Sequence, residues 1–269
     1  MLELLKIAKK AGDAILEVYN TDFDVENKAD NSPLTLADKK SNDIIVSFLK
    51  SYLFKDEIIP ILSEEERAIS FSERKRWNRF WIVDPLDGTK EFVKKNGEFT
   101  VNIGLIQNNY PILGIIYVPV KNTYFFAKEG MGSYFFDGNV FDIDSFDSIE
   151  MVLEKSEKLK TIVKNSNEKV FVVASRSHLN KETENFINEL KGKFIDVDIK
   201  SSGSSLKFCL VAQGEAQFYP RFAPTMEWDT AAGQCIVEMA GGGVFLEDGK
   251  TRFHYNKKEL VNPWFLVKG

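Results

Sequence analysis

The chain has 269 residues, of which 43% are hydrophobic and 28% charged, which is enough apolar side chain for one large domain or two closely packed ones. A formal net charge of −5 argues against a broad basic surface for polymeric nucleic acid, so an anionic ligand would have to be met by metals and a few local Lys or Arg. No uninterrupted apolar run approaches the ~20 residues of a membrane span; the expected location is cytoplasmic, with peripheral attachment at the inner face of the membrane left open.

In chain order, Leu2, Leu5, Ala8, Ala11, Ile15, Val18 and Tyr19 recur at helical spacing, predicting an amphipathic helix over residues 2 to 20. Asn31-Ser32-Pro33-Leu34-Thr35-Leu36-Ala37-Asp38 leads into a second helix, with Ile44, Ile45, Phe48, Leu49 and Tyr52 on its buried face. Ile58 to Leu62 reads as a short strand running into Ser63-Glu64-Glu65-Glu66. Arg79 to Val83 is a buried strand, which Pro85 should end because it has no N–H to give a central ladder.

Thr100 to Ile106 and Ile112 to Val118 are β-rich, joined at Asn108-Asn109-Tyr110-Pro111 as a hairpin, and Tyr124 to Phe126 and Ser133 to Phe136 continue the sheet. Residues 137 to 169 are polar and supply no clear element. Val170 to Ala174, Phe194 to Val197 and Ala216 to Tyr219 read as strands. Helices alternate with them at about Lys181 to Lys191 and at Ser204 to Ala212. A helix over Asp229 to Ala240, a strand near Val244 to Leu246 and a short polar tail close the chain. The boundary falls near residue 150, giving an N-terminal domain of helices plus mainly antiparallel sheet (1–150) and a C-terminal α/β domain (151–269). Cys209 and Cys235 lie in apolar stretches without CxxC or His at ligand spacing, and read as buried reduced thiols.

The chemistry is concentrated where the apolar run of Trp81-Ile82-Val83 meets Asp84-Pro85-Leu86-Asp87-Gly88-Thr89. Two carboxylates this close repel each other and resist burial unless a cation or proton compensates, and hard divalent cations choose oxygen ligands. Glu64 and Glu65 end an earlier strand, and Asp229 stands in Trp228-Asp229-Thr230-Ala231-Ala232-Gly233. An EF-hand loop with Gly88 at its sixth position would put Val83 and Pro85 where ligands belong, which excludes that motif. Aligned on Asp87-Gly88-Thr89, a dehalogenase-type phosphatase would need its nucleophile at Pro85, which has none. Plain structural roles compete for several of these groups. Asp229 would make an N-cap, Thr35 and Asp38 fit a capping box, and Asp84 to Asp87 could be only an acidic turn before a helix.

Ser63-Glu64-Glu65, Asp84 to Thr89 and Trp228 to Gly233, closed by Ala240-Gly241-Gly242, resemble the magnesium-dependent, lithium-sensitive phosphatases of the inositol monophosphatase superfamily. Asp87 to Phe92, Asn96 to Ile103, Ser175-Arg176-Ser177-His178 and Gly203 to Cys209 look like its 3'(2'),5'-bisphosphate nucleotidase branch, which acts in sulfur metabolism. The resemblance covers nearly the whole chain except residues 137 to 169.

It implies a layered α/β/α/β/α sandwich and hydrolysis of the 3'-phosphate of adenosine 3',5'-bisphosphate to AMP and phosphate. It also implies two or three Mg²⁺. Glu64, Asp84 and the Leu86 carbonyl would hold one, and Asp84, Asp87 and Asp229 a second. Glu64 and Thr89 would position the attacking water, with Asp38 as an assisting base or a ligand of a weaker third ion. Gly88 and Thr89 N–H groups suit phosphate oxygens, while Asp229, Ser204, Lys207, Arg221 and His178 would meet the nucleotide. Solvated charge is the plain alternative for Lys207 and Arg221, and a helix start for His178. The same motifs also fit an inositol monophosphatase, a sugar bisphosphatase or a catalytically silent phosphate-binding protein.

Overall fold

The computed structural model describes residues 1–21, 25–27, 33–174 and 180–269, with residues 25–27 and 33–35 described by backbone only. Helices α1 (Leu2–Tyr19) and α2 (Leu36–Leu49) pack on each other. Two small antiparallel ladders accompany them, β1 (Val25–Asn27) with β2 (Pro33–Thr35) and β3 (Leu53–Phe54) with β4 (Glu57–Ile58).

Among the described residues the main sheet has seven strands: β5 (Ile61–Ser63), β6 (Arg79–Asp87), β7 (Thr100–Gln107), β8 (Tyr110–Val118), β9 (Thr123–Lys128), β10 (Gly132–Asp137) and β11 (Glu157–Lys158). Only β5 and β6 run parallel; the other neighbours are antiparallel, as the sequence suggested. The β7–β8 hairpin turns at Asn108 and Asn109, with φ of 51° and 66°; two successive left-handed residues are what a two-residue turn matched to strand twist requires, and Asn tolerates them.

The second sheet has the order β13 (Asp196–Ser201), β12 (Lys169–Ala174), β14 (Phe218–Arg221), β16 (Phe265–Lys268), β15 (Gly243–Leu246). Around it lie α6 (Lys181–Lys191), α7 (Leu206–Ala212) and α8 (Glu227–Met239), with the short helices α3 (Phe71–Arg74), α4 (Thr89–Val93) and α5 (Ile149–Glu154) elsewhere.

The layers follow from which residues each face buries. Trp81, Val83, Val101, Ile103, Leu105, Leu113 and Ile115 join α1 and α2 in one core, while their alternating neighbours Phe80, Ile82, Ile106 and Ile116 join α7 and α8 in another. A sheet covered on both faces needs apolar side chains on both, which is why β6 to β8 read as continuous hydrophobic runs. With α6 on the far side of the second sheet, the stack is α/β/α/β/α. Helix α8 approaches the β8 backbone at Gly114, where an added Cβ would collide with the Ala232 carbonyl and come within 3.0 Å of its Cα. Gly114→Ala is therefore expected to cost about 1–3 kcal/mol in urea unfolding. A change below about 0.5 kcal/mol would mean that the helix lifts off easily.

Several elements depart from the sequence expectations. Pro85 does not end β6: the strand continues to Asp87 through a bulge between Asp84 and Asp87, a position where a missing N–H is tolerated. The polar tail contains β16, which pairs with both β14 and β15 inside the second sheet. The strand expected at 194–197 lies at Asp196–Ser201, that at 216–219 lies at Phe218–Arg221, and that at 58–62 is divided between β4 and β5. Residues 137 to 169 contribute α5 and the edge strand β11, whose short contacts leave little hydrophobic periodicity to read. Both cysteines are buried and free. Among the described residues no helix is long and apolar enough to cross a membrane.

Candidate active site

Five carboxylates converge from four parts of the chain. Asp84 sits on β6 just before the bulge and is 1% exposed; its Oδ1 accepts the Leu86 N–H at 3.1 Å, so the bulge itself orients the side chain. The Ser41 hydroxyl donates to the Pro85 carbonyl at 2.7 Å and ties the bulge to α2, whose first turn carries the buried Asp38. Because β5 lies parallel to β6, with Ser63 opposite Val83, the residue after β5 arrives beside Asp84. That residue is Glu64, and its N–H donates to the Val83 carbonyl at 3.2 Å.

Asp229 is the third residue of α8, and its Oδ2 accepts the Met226 N–H at 2.9 Å. It is thus not an N-cap, the plain structural alternative for it, since the helix starts at Glu227, two residues before the expected start at Asp229. It lies within the helix and reaches back to its start. The Thr35 side chain and His178 lie outside the described residues, as does the rest of Ser175 to Leu179.

Burial and crowding act on the acids together. Desolvation, followed by the charges of Glu64, Asp87, Asp229 and Asp38, holds the Asp84 carboxyl well above the usual carboxylate range. Desolvation and Asp87 do the same to Asp229, partly offset by the Met226 N–H. Among the described residues no three His, Cys, Asp or Glu side chains stand at metal-ligand spacing. Even so, the side-chain donors are all carboxylate oxygen, Asp38 and Asp84 are buried and Glu64, Asp87 and Asp229 half-buried, and the set is short of positive charge, the conditions a hard divalent cation meets.

Asp87, Asp229, Ser204, Lys207 and Arg221 line one cleft of about 330 Å³ together with Gly88, the left-handed residue (φ 92°) that caps α4. Thr89 opens that helix, as expected. Lys207 is 6% exposed; its Nζ donates to the Ser204 carbonyl at 2.9 Å and lies 5.8 Å from the centre of the Tyr219 ring. Burial, with Arg221 nearby opposing the acids Asp87, Glu91 and Glu98, brings its pKa down to about 8. Arg221 donates to the Pro224 carbonyl at 3.2 Å, and its buried Nε has no partner among the described residues. Solvated surface charge therefore does not describe Lys207.

Three residues around Asp87 carry no role in the sequence expectations. Ser205 Oγ lies 2.7 Å from Asp87 Oδ2, Asn102 Nδ2 donates to Ser205 Oγ at 2.8 Å, and Thr100 Oγ1 donates to Asn102 Oδ1 at 3.0 Å. Thr100 and Asn102 alternate with apolar residues in a strand buried on both faces. Buried polar side chains there need partners, and that signal was legible. Glu227 was equally silent: fully buried at the start of α8, it accepts the Asn256 and Lys257 N–H groups and the Lys257 ammonium at 2.7 to 2.9 Å. It thereby anchors the helix end that bears Asp229.

The sequence model of the inositol monophosphatase family matches residues 2–266. The chain belongs to the inositol monophosphatase family. Within it, the chain is 41% identical over 267 residues to the 3'(2'),5'-bisphosphate nucleotidase CysQ of Escherichia coli K12, covering 98% of each, and 42% identical over the same length to the CysQ of Shigella flexneri. The crystal structure of CysQ from Bacteroides thetaiotaomicron superposes with a TM-score of 0.85 at 48% identity, covering 97% of this chain and 94% of that one. A Thermotoga maritima inositol monophosphatase superposes with a TM-score of 0.74 at 24% identity, a likeness of fold.

Proposed function

We propose that this chain is a divalent-cation-dependent 3'(2'),5'-bisphosphate nucleotidase that removes the 3'-phosphate of adenosine 3',5'-bisphosphate, leaving AMP. The observation that carries this reading is the acid cluster around the buried Asp84, two of whose members, Asp87 and Asp229, line the same cleft as Lys207 and Arg221. Near-full-length likeness to proteins named as nucleotidases supports the substrate class.

Glu64, Asp84, Asp87, Asp229 and the Leu86 carbonyl would hold Mg²⁺, two or three ions per site. Bound there, the cations would lower the pKa of water and neutralise charge on the phosphate oxygens. Asp84, on which the charges of all four other acids act, would serve more than one cation. Glu64 and Thr89 hold and orient the attacking water, and Asp38 accepts its proton or steadies a further cation. The Gly88 and Thr89 N–H groups receive phosphate oxygens as charge builds on them. Lys207 and Arg221 take the 5'-phosphate, where their charge adds binding with little cost because the acceptor is doubly charged. Ser204 and Asp229 contact the ribose side, with both parts of the chain, divided near residue 150, contributing to the cleft. Li⁺ inhibition and a place in cytoplasmic sulfur metabolism belong to the same reading.

Specificity constants across adenosine 3',5'-bisphosphate, inositol monophosphate and a sugar bisphosphate test the assignment. Lys207→Ala and Arg221→Ala should each lower the constant for the nucleotide by about 10- to 100-fold, the worth of one charge-assisted contact. Turnover of small monoesters should survive. Variants with wild-type nucleotide preference would refute the placement of the 5'-phosphate.

A further inference from the structure

The Gly203 to Ser205 turn is built more rigidly than a connection into α7 requires. Ser204 holds φ at 48°, a left-handed conformation that few residues other than Gly, Asn and Asp adopt without strain. The Gly203 N–H donates to Glu98 Oε2 at 2.8 Å, and a Cβ on Gly203 would meet Glu91 Cγ at 2.7 Å and the Glu98 backbone and Cβ at 3.1 Å, so the turn is clamped from behind. Ser205 is the N-cap residue of α7, the position at which a serine hydroxyl normally accepts a helix N–H, yet it makes no such bond. Its Oγ is turned toward Asp87 Oδ2 at 2.7 Å, with the Asp229 carbonyl at 3.1 Å.

Proton counting separates the two serines. Asn102 donates to Ser205 Oγ, so the single Ser205 proton is left for an acceptor; the charged Asp87 oxygen is nearer than the Asp229 carbonyl and is the stronger partner. Ser204 Oγ also reaches Asp87 Oδ2, at 2.6 Å, but Thr100 Oγ1 lies 2.7 Å away and competes for the same proton. All these donors, with the longer Asn102 contact at 3.5 Å, meet Oδ2, which fixes the rotation of the carboxylate.

We propose that Ser205, oriented by Asn102, is a positioning residue that holds the Asp87 carboxylate in the rotamer a divalent cation needs. This rests on the cation reading given above. Its function is separate from substrate contact, because neither group has to touch the nucleotide.

The test is Mn²⁺ binding to substrate-free protein by titration calorimetry, for wild type, Ser205→Ala, Asn102→Ala and the double variant. Ser205→Ala should weaken Mn²⁺ about 10-fold, within the range typical of losing a group that orients a ligand. Asn102→Ala should weaken it in the same direction, and the double variant should fall short of the product of the two, because both act through one hydroxyl. At saturating Mn²⁺ the KM for the bisphosphate should stay within twofold of wild type. Asn102→Ala keeps the test valid if Ser205→Ala lowers the thermal midpoint in EDTA. Mn²⁺ affinity within twofold of wild type in both single variants would overturn the proposal. A wild-type protein that binds no Mn²⁺ would overturn the cation reading beneath it, and the proposal too.

Discussion

Asp84→Asn is expected to lower kcat by at least about 10³-fold while leaving the metal-free protein as stable as wild type or more so. The amide keeps an oxygen for the Leu86 N–H and has nearly the volume of the carboxylate, so the β6 bulge should persist. What disappears is a buried negative charge pressed by Glu64, Asp87, Asp229 and Asp38. Burying such a charge without a partner costs several kcal/mol, so removing it relieves the apo protein and, on the cation reading proposed above, would deprive the cation of a ligand. Thermal melts in EDTA and in Mg²⁺ separate the two effects. Wild type should gain stability with Mg²⁺, by about 2.7 kcal/mol at a hundred times Kd, and the variant should gain little. A variant that melts well below wild type in EDTA would show that Asp84 is structural instead.

The second large effect concerns pH. The KM for adenosine 3',5'-bisphosphate should rise about tenfold per pH unit above pH 8, because Lys207 loses its charge near there. A phosphate monoester is fully ionised well below that pH, with a second pKa near 6, so the inflection belongs to the protein. Folding stability should move the other way. The Lys207 pKa is about 8 in the folded chain and 10.5 as a model value, so between these the unfolded chain binds more protons. The cost of burying the ammonium is present below pH 8 and is relieved as pH rises toward 10.5. Lys207→Met should raise KM at neutral pH and remove the inflection, whereas the kcat/KM for inositol monophosphate should show neither effect. A KM that stays flat from pH 7 to 9.5 in wild type would contradict the role given to Lys207.

How much of this was legible in the sequence differs element by element. The α1 helix and the β7–β8 hairpin were legible because periodicity and the Asn-Asn pair are local signals. So was the meeting of Glu64 with Asp84, since two acidic strand ends beside each other need only a parallel β5–β6 pair. The bulge at Pro85 was not, because a missing N–H says where a ladder bond fails, not whether the strand resumes beyond it. Strand β16 was hidden because its partners, β14 and β15, are set by packing at a distance. Ser205 carried no role in the sequence, where it fell inside the helix expected over Ser204 to Ala212, because the direction in which its hydroxyl points, toward Asp87, depends on how that helix packs. Glu227 lay outside the helix expected over Asp229 to Ala240, and its burial against the Asn256 and Lys257 N–H groups depends on a loop that arrives from the far end of the chain.

The most direct measurement follows the products of adenosine 3',5'-bisphosphate incubated with the pure protein and Mg²⁺. Release of inorganic phosphate with AMP as the nucleotide product, abolished by EDTA and restored by Mg²⁺, is the predicted result. No phosphate release at any Mg²⁺ concentration, or a product that keeps its 3'-phosphate and loses the 5'-phosphate, would contradict it.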